Sequence, residues 1–116
     1  MRGISTTLHS ALEMFAAPAI MVAPFLLGFG PAATVLAVLL GVVLLGMALQ
    51  LETPSRSVPL RAHASFDYLL GFLAAVGGLA VGLVADEWNA AVFLVGVGVA
   101  MAALSASTRF STARSA

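Results

Sequence analysis

Cysteine is absent from the chain, so disulfides, thiolate metal sites and thiol nucleophiles are all excluded. Charge of either sign is scarce. Five basic residues, all arginine, balance five acids, which leaves 9% of the 116 residues charged and a formal net charge of zero. Nucleic-acid binding needs a basic footprint, so DNA and RNA are set aside as partners. Catalytic motifs are missing as well. Gly28-Phe29-Gly30-Pro31 reads as a hairpin turn and not as a phosphate-cradling loop between a strand and a helix. Ser105, Ser107 and Thr108 have no neighbouring base in the sequence, and the two histidines sit on the side where the tail would reach them only by chance. Neither enzyme activity nor a cofactor is expected.

What the chain has in quantity is apolar side chain, 61% of its residues. Soluble domains carry roughly 45–50% apolar and about 25% charged residues. A soluble fold this short buries too small a fraction of its surface to hide such a composition. The solvent that fits is lipid.

Four apolar runs have the roughly 17–25 residues that a helix needs to cross about 30 Å of hydrocarbon. They cover residues 11–29, 32–51, 66–85 and 88–104. Lipid cannot satisfy backbone N–H and C=O groups, and four spans are too few for a closed barrel, so the runs are helices. Pro18 and Pro24 each remove a backbone donor inside the first run and predict an irregularity near its far end. The turns at Gly30-Pro31 and Asp86-Glu87 are short enough to force antiparallel hairpins. The first run is expected to be a retained span and not a signal peptide, because only Arg2 precedes it and its far end passes directly into the second run.

The expected fold is therefore an all-α membrane protein of four transmembrane helices. Residues 1–52 form a first hairpin, 53–65 a linker, 66–106 a second hairpin and 107–116 a polar tail. Arg2, Arg56, Arg61, Arg109 and Arg114 all fall on one side of this arrangement. The positive-inside rule makes that side cytoplasmic, giving a multi-pass protein of the cytoplasmic membrane with both termini inside and Trp88 at the opposite interface.

The chain also repeats itself. An offset of 54 residues places His63 on His9, Asp67 on Glu13 and Gly82 on Gly28; one extra residue in the second turn then pairs Gly96 with Gly41 and Ala103-Leu104 with Ala48-Leu49. The elements recur in the same membrane direction, so the two hairpins form a parallel repeat related by a pseudo-two-fold axis along the membrane normal.

Within the first repeat, Ala23-Pro24-Phe25-Leu26-Leu27-Gly28-Phe29 resembles the Ser-Pro-Trp-x-Leu-Gly-Phe signature of the SPW-repeat family of small bacterial membrane proteins. Leu70-Gly71-Phe72 and Trp88-Asn89 followed by Gly96 resemble other parts of that repeat. Ala23 and Phe25 replace the namesake Ser and Trp, and the second half reads Gly77-Gly78-Leu79 where the signature would fall. The resemblance implies a helical hairpin occurring once or twice per chain, and it transfers no activity and no catalytic residues.

Function must then be sought in the few polar residues. His9 with Glu13, and His63 with Asp67, are matched pairs at i and i+4, a spacing that places both members on one helix face. Two roles fit them. Acids near a helix start suit the macrodipole, and Ser10-x-x-Glu13 reads as a capping box at the membrane margin, which is the expected role. If the repeats pack symmetrically, the two imidazoles and two carboxylates instead converge into a divalent-metal or proton site. Small residues form the other pattern: Ala74, Gly78 and Gly82 on the third helix, and Gly98, Ala102 and Ala106 on the fourth, recur at four-residue spacing that lets helix backbones approach.

Three functions are compatible with these features. The leading one is a non-enzymatic structural or accessory protein whose partners are the bilayer and either its own copies or another membrane protein. The second is a small transporter or channel that uses Glu13 and Asp67. The third is a metal- or haem-binding protein that uses His9 and His63.

Overall fold

The computed structural model describes residues 3–52 and 60–108, with side-chain surroundings for 3–50 and 62–108. Each apolar run is a helix: α1 (Thr6–Leu27), α2 (Pro31–Glu52), α3 (Leu60–Ala85) and α4 (Trp88–Ser107). All four are long and apolar enough to cross a membrane. Helix α1 packs along α2, and α3 along α4, making two antiparallel hairpins.

Two helices begin earlier than their apolar runs. Helix α1 starts at Thr6 and not near Ala11, and α3 starts at Leu60, so the linker expected over 53–65 is helical from Leu60 onward. The reason is that His9, Ser10 and His63 are wholly buried against protein, where hydropathy does not limit a helix. Residues 53–59 and 109–116 lie outside the described residues, as do Arg2 and the side chain of Arg61. The arginine pattern used for orientation therefore falls outside them altogether.

Local chemistry sets the helix ends. Ser5 is the N-cap of α1, and its Oγ accepts the amide of Leu8 at 3.1 Å. Helix α1 continues through Pro18 and Pro24 and closes at Gly28, whose φ of 71° is the left-handed conformation glycine tolerates best. Pro31 opens α2, where its missing N–H costs nothing. Across the hairpins, Glu87 Oε1 accepts the amide of Gly30 at 2.7 Å, placing a carboxylate at the start of α2 and tying the two turns together.

Small residues carry the helix contacts. Ala17, Ala33, Ala37 and Ala90 are fully buried, with Leu44 and Leu94 filling the space between hairpins. Within the second hairpin, a Cβ on Gly98 would collide with the carbonyl of Gly71, and one on Gly78 would lie 2.9 Å from Leu94 Cβ. Gly82 accommodates the ring of Trp88, Ala102 faces Gly71, and Ala74 is buried beside the cleft between α2 and α3. Gly78 and Gly82 on α3 and Gly98 and Ala102 on α4 thus make close contacts within the second hairpin.

The outer surface is the reverse of a soluble protein's. Phe15, Leu26 and Val84 are more than three-quarters exposed, and large apolar residues cover the outside along all four helices. Such a surface is stable in hydrocarbon and not in water. Contact between the hairpins is sparser than within them, and an apolar cleft of about 520 Å³ opens between α1 and α4.

Candidate metal centre

Antiparallel hairpins bring the starts of α1 and α3 and the ends of α2 and α4 to one end of the bundle. Counting from Thr6, His9 is the fourth residue of α1 and Glu13 the eighth; counting from Leu60, His63 and Asp67 occupy the same places in α3. The i, i+4 spacing stacks each pair on one helix face, and both faces turn toward the same point.

There the four side chains form a ring that alternates nitrogen and oxygen donors. His9 Nε2 lies 2.9 Å from Glu13 Oε2 and 2.8 Å from Asp67 Oδ2, while His63 Nε2 lies 3.0 Å from Asp67 Oδ2 and 3.4 Å from Glu13 Oε1. One donor atom from each of the four falls within 4.8 Å of all the others. The imidazoles stand nearly edge to face, with centroids 5.6 Å apart. His9, His63 and Asp67 are fully buried and Glu13 is 3% exposed, so water does not solvate the ring.

The capping box expected at Ser10 and Glu13 is not formed. Ser5 caps α1, more than two turns ahead of Glu13, and no acid lies in the first turn of α1 or α3. Ser10 Oγ instead donates to the carbonyl of Ala48 at 3.0 Å, bracing α1 against α2. Glu13 spends its carboxylate on the imidazoles.

Sequence reasoning missed a second layer around the ring. Thr108 is fully buried, and its Oγ1 lies 2.8 Å from His9 Nδ1. Ser105 Oγ donates to Asp67 Oδ2 at 3.5 Å. These are the residues set aside for want of a neighbouring base. The signal was available in the topology, since an antiparallel α4 must end beside the start of α1. The amide of Ile4, donating to Ser107 O at 2.9 Å, fastens that junction.

The electrostatics of the ring demand a cation. Two carboxylates in a dry site are costly unless paired, and a bare imidazole nitrogen 2.8–2.9 Å from carboxylate oxygens repels them. Protons shared between each imidazole and its acids meet the need, at distances suited to charge-assisted hydrogen bonds. A single divalent ion meets it too. Two neutral imidazoles, two carboxylates and one such ion sum to zero charge.

No family model, curated protein or solved structure matches the chain. Function is argued from the geometry.

Proposed function

We propose that this chain is a non-enzymatic membrane protein, built from two parallel hairpin repeats, that binds one zinc-like divalent ion between them through His9, Glu13, His63 and Asp67. The carrying observation is the alternating ring itself, with two ligands from each hairpin in equivalent places. A tetrahedral ion with ligands about 2.0–2.1 Å away separates its donor atoms by roughly 3.3–3.4 Å. Neighbouring ring distances of 2.8–3.4 Å, with all four donor atoms inside 4.8 Å of one another, bring the set close enough to gather round one ion. Two nitrogens and two oxygens with no sulfur suit zinc among the first-row metals.

The ion's role is structural. It joins hairpins whose direct contact is sparse, beside the junction of α1 and α4 and next to the apolar cleft that separates those helices further along. The described buried polar side chains, from His9 and Ser10 to Ser105 and Thr108, gather at this one end. Between them and the opposite turns the described core is apolar, which favours a staple over the transporter reading. Haem is disfavoured because the acids fill the space between imidazoles 5.6 Å apart, leaving no slot for a macrocycle. The resemblance to SPW-repeat proteins supports reading the chain as a duplication, and the arginine pattern supports a cytoplasmic side for the metal end.

Zinc titration of chelator-treated protein in detergent tests the proposal. One zinc per chain with micromolar or tighter affinity is expected, falling at least about 100-fold in the His9→Ala, His63→Ala double variant because two of four ligands are lost. Wild-type protein that takes up no zinc, or a double variant that binds as well, rules the site out.

A further inference from the structure

The chemistry of Thr108 fixes which nitrogen of His9 faces the metal position. A threonine hydroxyl has one hydrogen and two lone pairs. At Thr108 that hydrogen is committed, because Oγ1 donates to the carbonyl of Leu104 at 2.6 Å. The same Oγ1 lies 2.8 Å from His9 Nδ1 and has only lone pairs left to offer. The contact is therefore Nδ1–H donating to Oγ1, which leaves Nε2 facing Glu13 and Asp67, where it shares a proton with the acids until an ion takes that place.

Resting on the metal reading, we infer that Thr108 is the positioning residue of the metal site, a buried hydroxyl that holds His9 in the tautomer and ring orientation that present Nε2 as a ligand. Metal-bound histidines almost always donate their second ring nitrogen to such a partner, which sets the tautomer and raises the basicity of the ligating nitrogen. Three contacts place Thr108 itself. Its hydroxyl is held by the last turn of α4, its amide donates to Ser105 O at 3.2 Å, and Ile4 pairs with the adjoining backbone. The metal site thus extends across the junction of the first and last described segments, so that the end of α4 takes part although it supplies no ligand.

The duplication gives independent support. The register that pairs Gly41 with Gly96 also pairs Thr53 with Thr108, so both repeats carry threonine at this position. Thr53 lies outside the described residues, and nothing is assigned to it.

Thr108→Val preserves shape and removes the acceptor, whereas Thr108→Ser keeps the acceptor and removes a methyl group. Cobalt serves as the probe, since its d–d absorption reports both occupancy and tetrahedral geometry. Thr108→Val should weaken cobalt affinity about 10- to 100-fold, the usual effect of losing such a partner. Thr108→Ser should bind within about threefold of wild type, and Thr108→Ala, which avoids the added methyl group, should weaken binding as Val does. Nitrogen NMR of the zinc-loaded protein should show His9 bound through Nε2 with its proton on Nδ1 in wild type and Ser variant, with that preference lost in Val and Ala. This readout does not move with packing alone. Equal affinity in wild type, Val and Ala overturns the inference and leaves the metal site standing. A Ser variant as weak as Val overturns it too, by showing that packing and not the acceptor matters. Wild-type protein that gives no tetrahedral cobalt spectrum overturns the metal reading, and the inference with it.

Discussion

At the scale of the residue, the protein concentrates its rare polar chemistry. Burying two carboxylates and two imidazoles is tolerable only if each charge finds a partner. The four side chains do this mutually, each imidazole lying between the two acids and each acid between the two imidazoles. Such a ring fails as a unit. Removing one imidazole leaves two buried carboxylates with half their compensation, a change that in other proteins costs about 3–5 kcal/mol. The periphery completes the arrangement with hydroxyls, since Ser10, Ser105 and Thr108 each donate to a carbonyl or carboxylate.

At the scale of the element, each hairpin is held by close backbone approach and not by interlocking large side chains. Lipid supplies no hydrophobic drive for helix association, so contact area comes from glycine and alanine. Gly98 and Gly96 make an internal comparison on one helix. A methyl group at Gly98 would press on the Gly71 carbonyl and on Ala75, backbone that cannot rotate away, while one at Gly96 meets nothing within 4 Å. Gly98→Ala should therefore destabilise the protein by about 1–3 kcal/mol through overpacking. Gly96→Ala should be neutral or stabilising by up to about 1 kcal/mol through helix propensity. Thermal unfolding in detergent checks both, and equal effects would mean that α3 and α4 do not approach this closely.

The elements themselves were legible in the sequence because length and punctuation are written locally. The apolar runs, Gly30-Pro31 and Asp86-Glu87 suffice to mark four helices and two hairpins. The helix starts were not legible from hydropathy, since His9, Ser10 and His63 look like interface residues until their burial is known. Half of the site could be read in the same way. The spacing of His9 to Glu13 and of His63 to Asp67 was visible, and so was their equivalence in the repeat. Whether the two faces meet depends on how one hairpin docks on the other, which no local pattern encodes. The role of Ser10 was misread because a capping box and a mid-helix serine that bonds a neighbouring helix look alike in one dimension.

At the scale of the whole molecule, the bundle is polar at one end and apolar along its length. The orientation expected from the arginine pattern has the polar end in the cytoplasm and the turns at Gly30-Pro31 and Asp86-Glu87 outside. Single cysteines introduced as Arg61→Cys and Asp86→Cys test this in intact cells. An impermeant thiol reagent added from outside should label position 86 and spare position 61, and the opposite pattern would invert the orientation. Under the metal reading, an ion at the polar end ties α1 to α3, across hairpins whose contact is sparser than the contact within them. Ligand binding that favours the folded state stabilises it by about 2.7 kcal/mol at a free concentration 100 times Kd. The most direct test of this account is the X-ray absorption spectrum at the zinc edge of stoichiometrically loaded protein. A four-coordinate shell of two imidazole nitrogens and two carboxylate oxygens at about 2.0–2.1 Å is the predicted result. A shell of water oxygens without imidazole scattering, or one unchanged in the His9→Ala, His63→Ala variant, would contradict it.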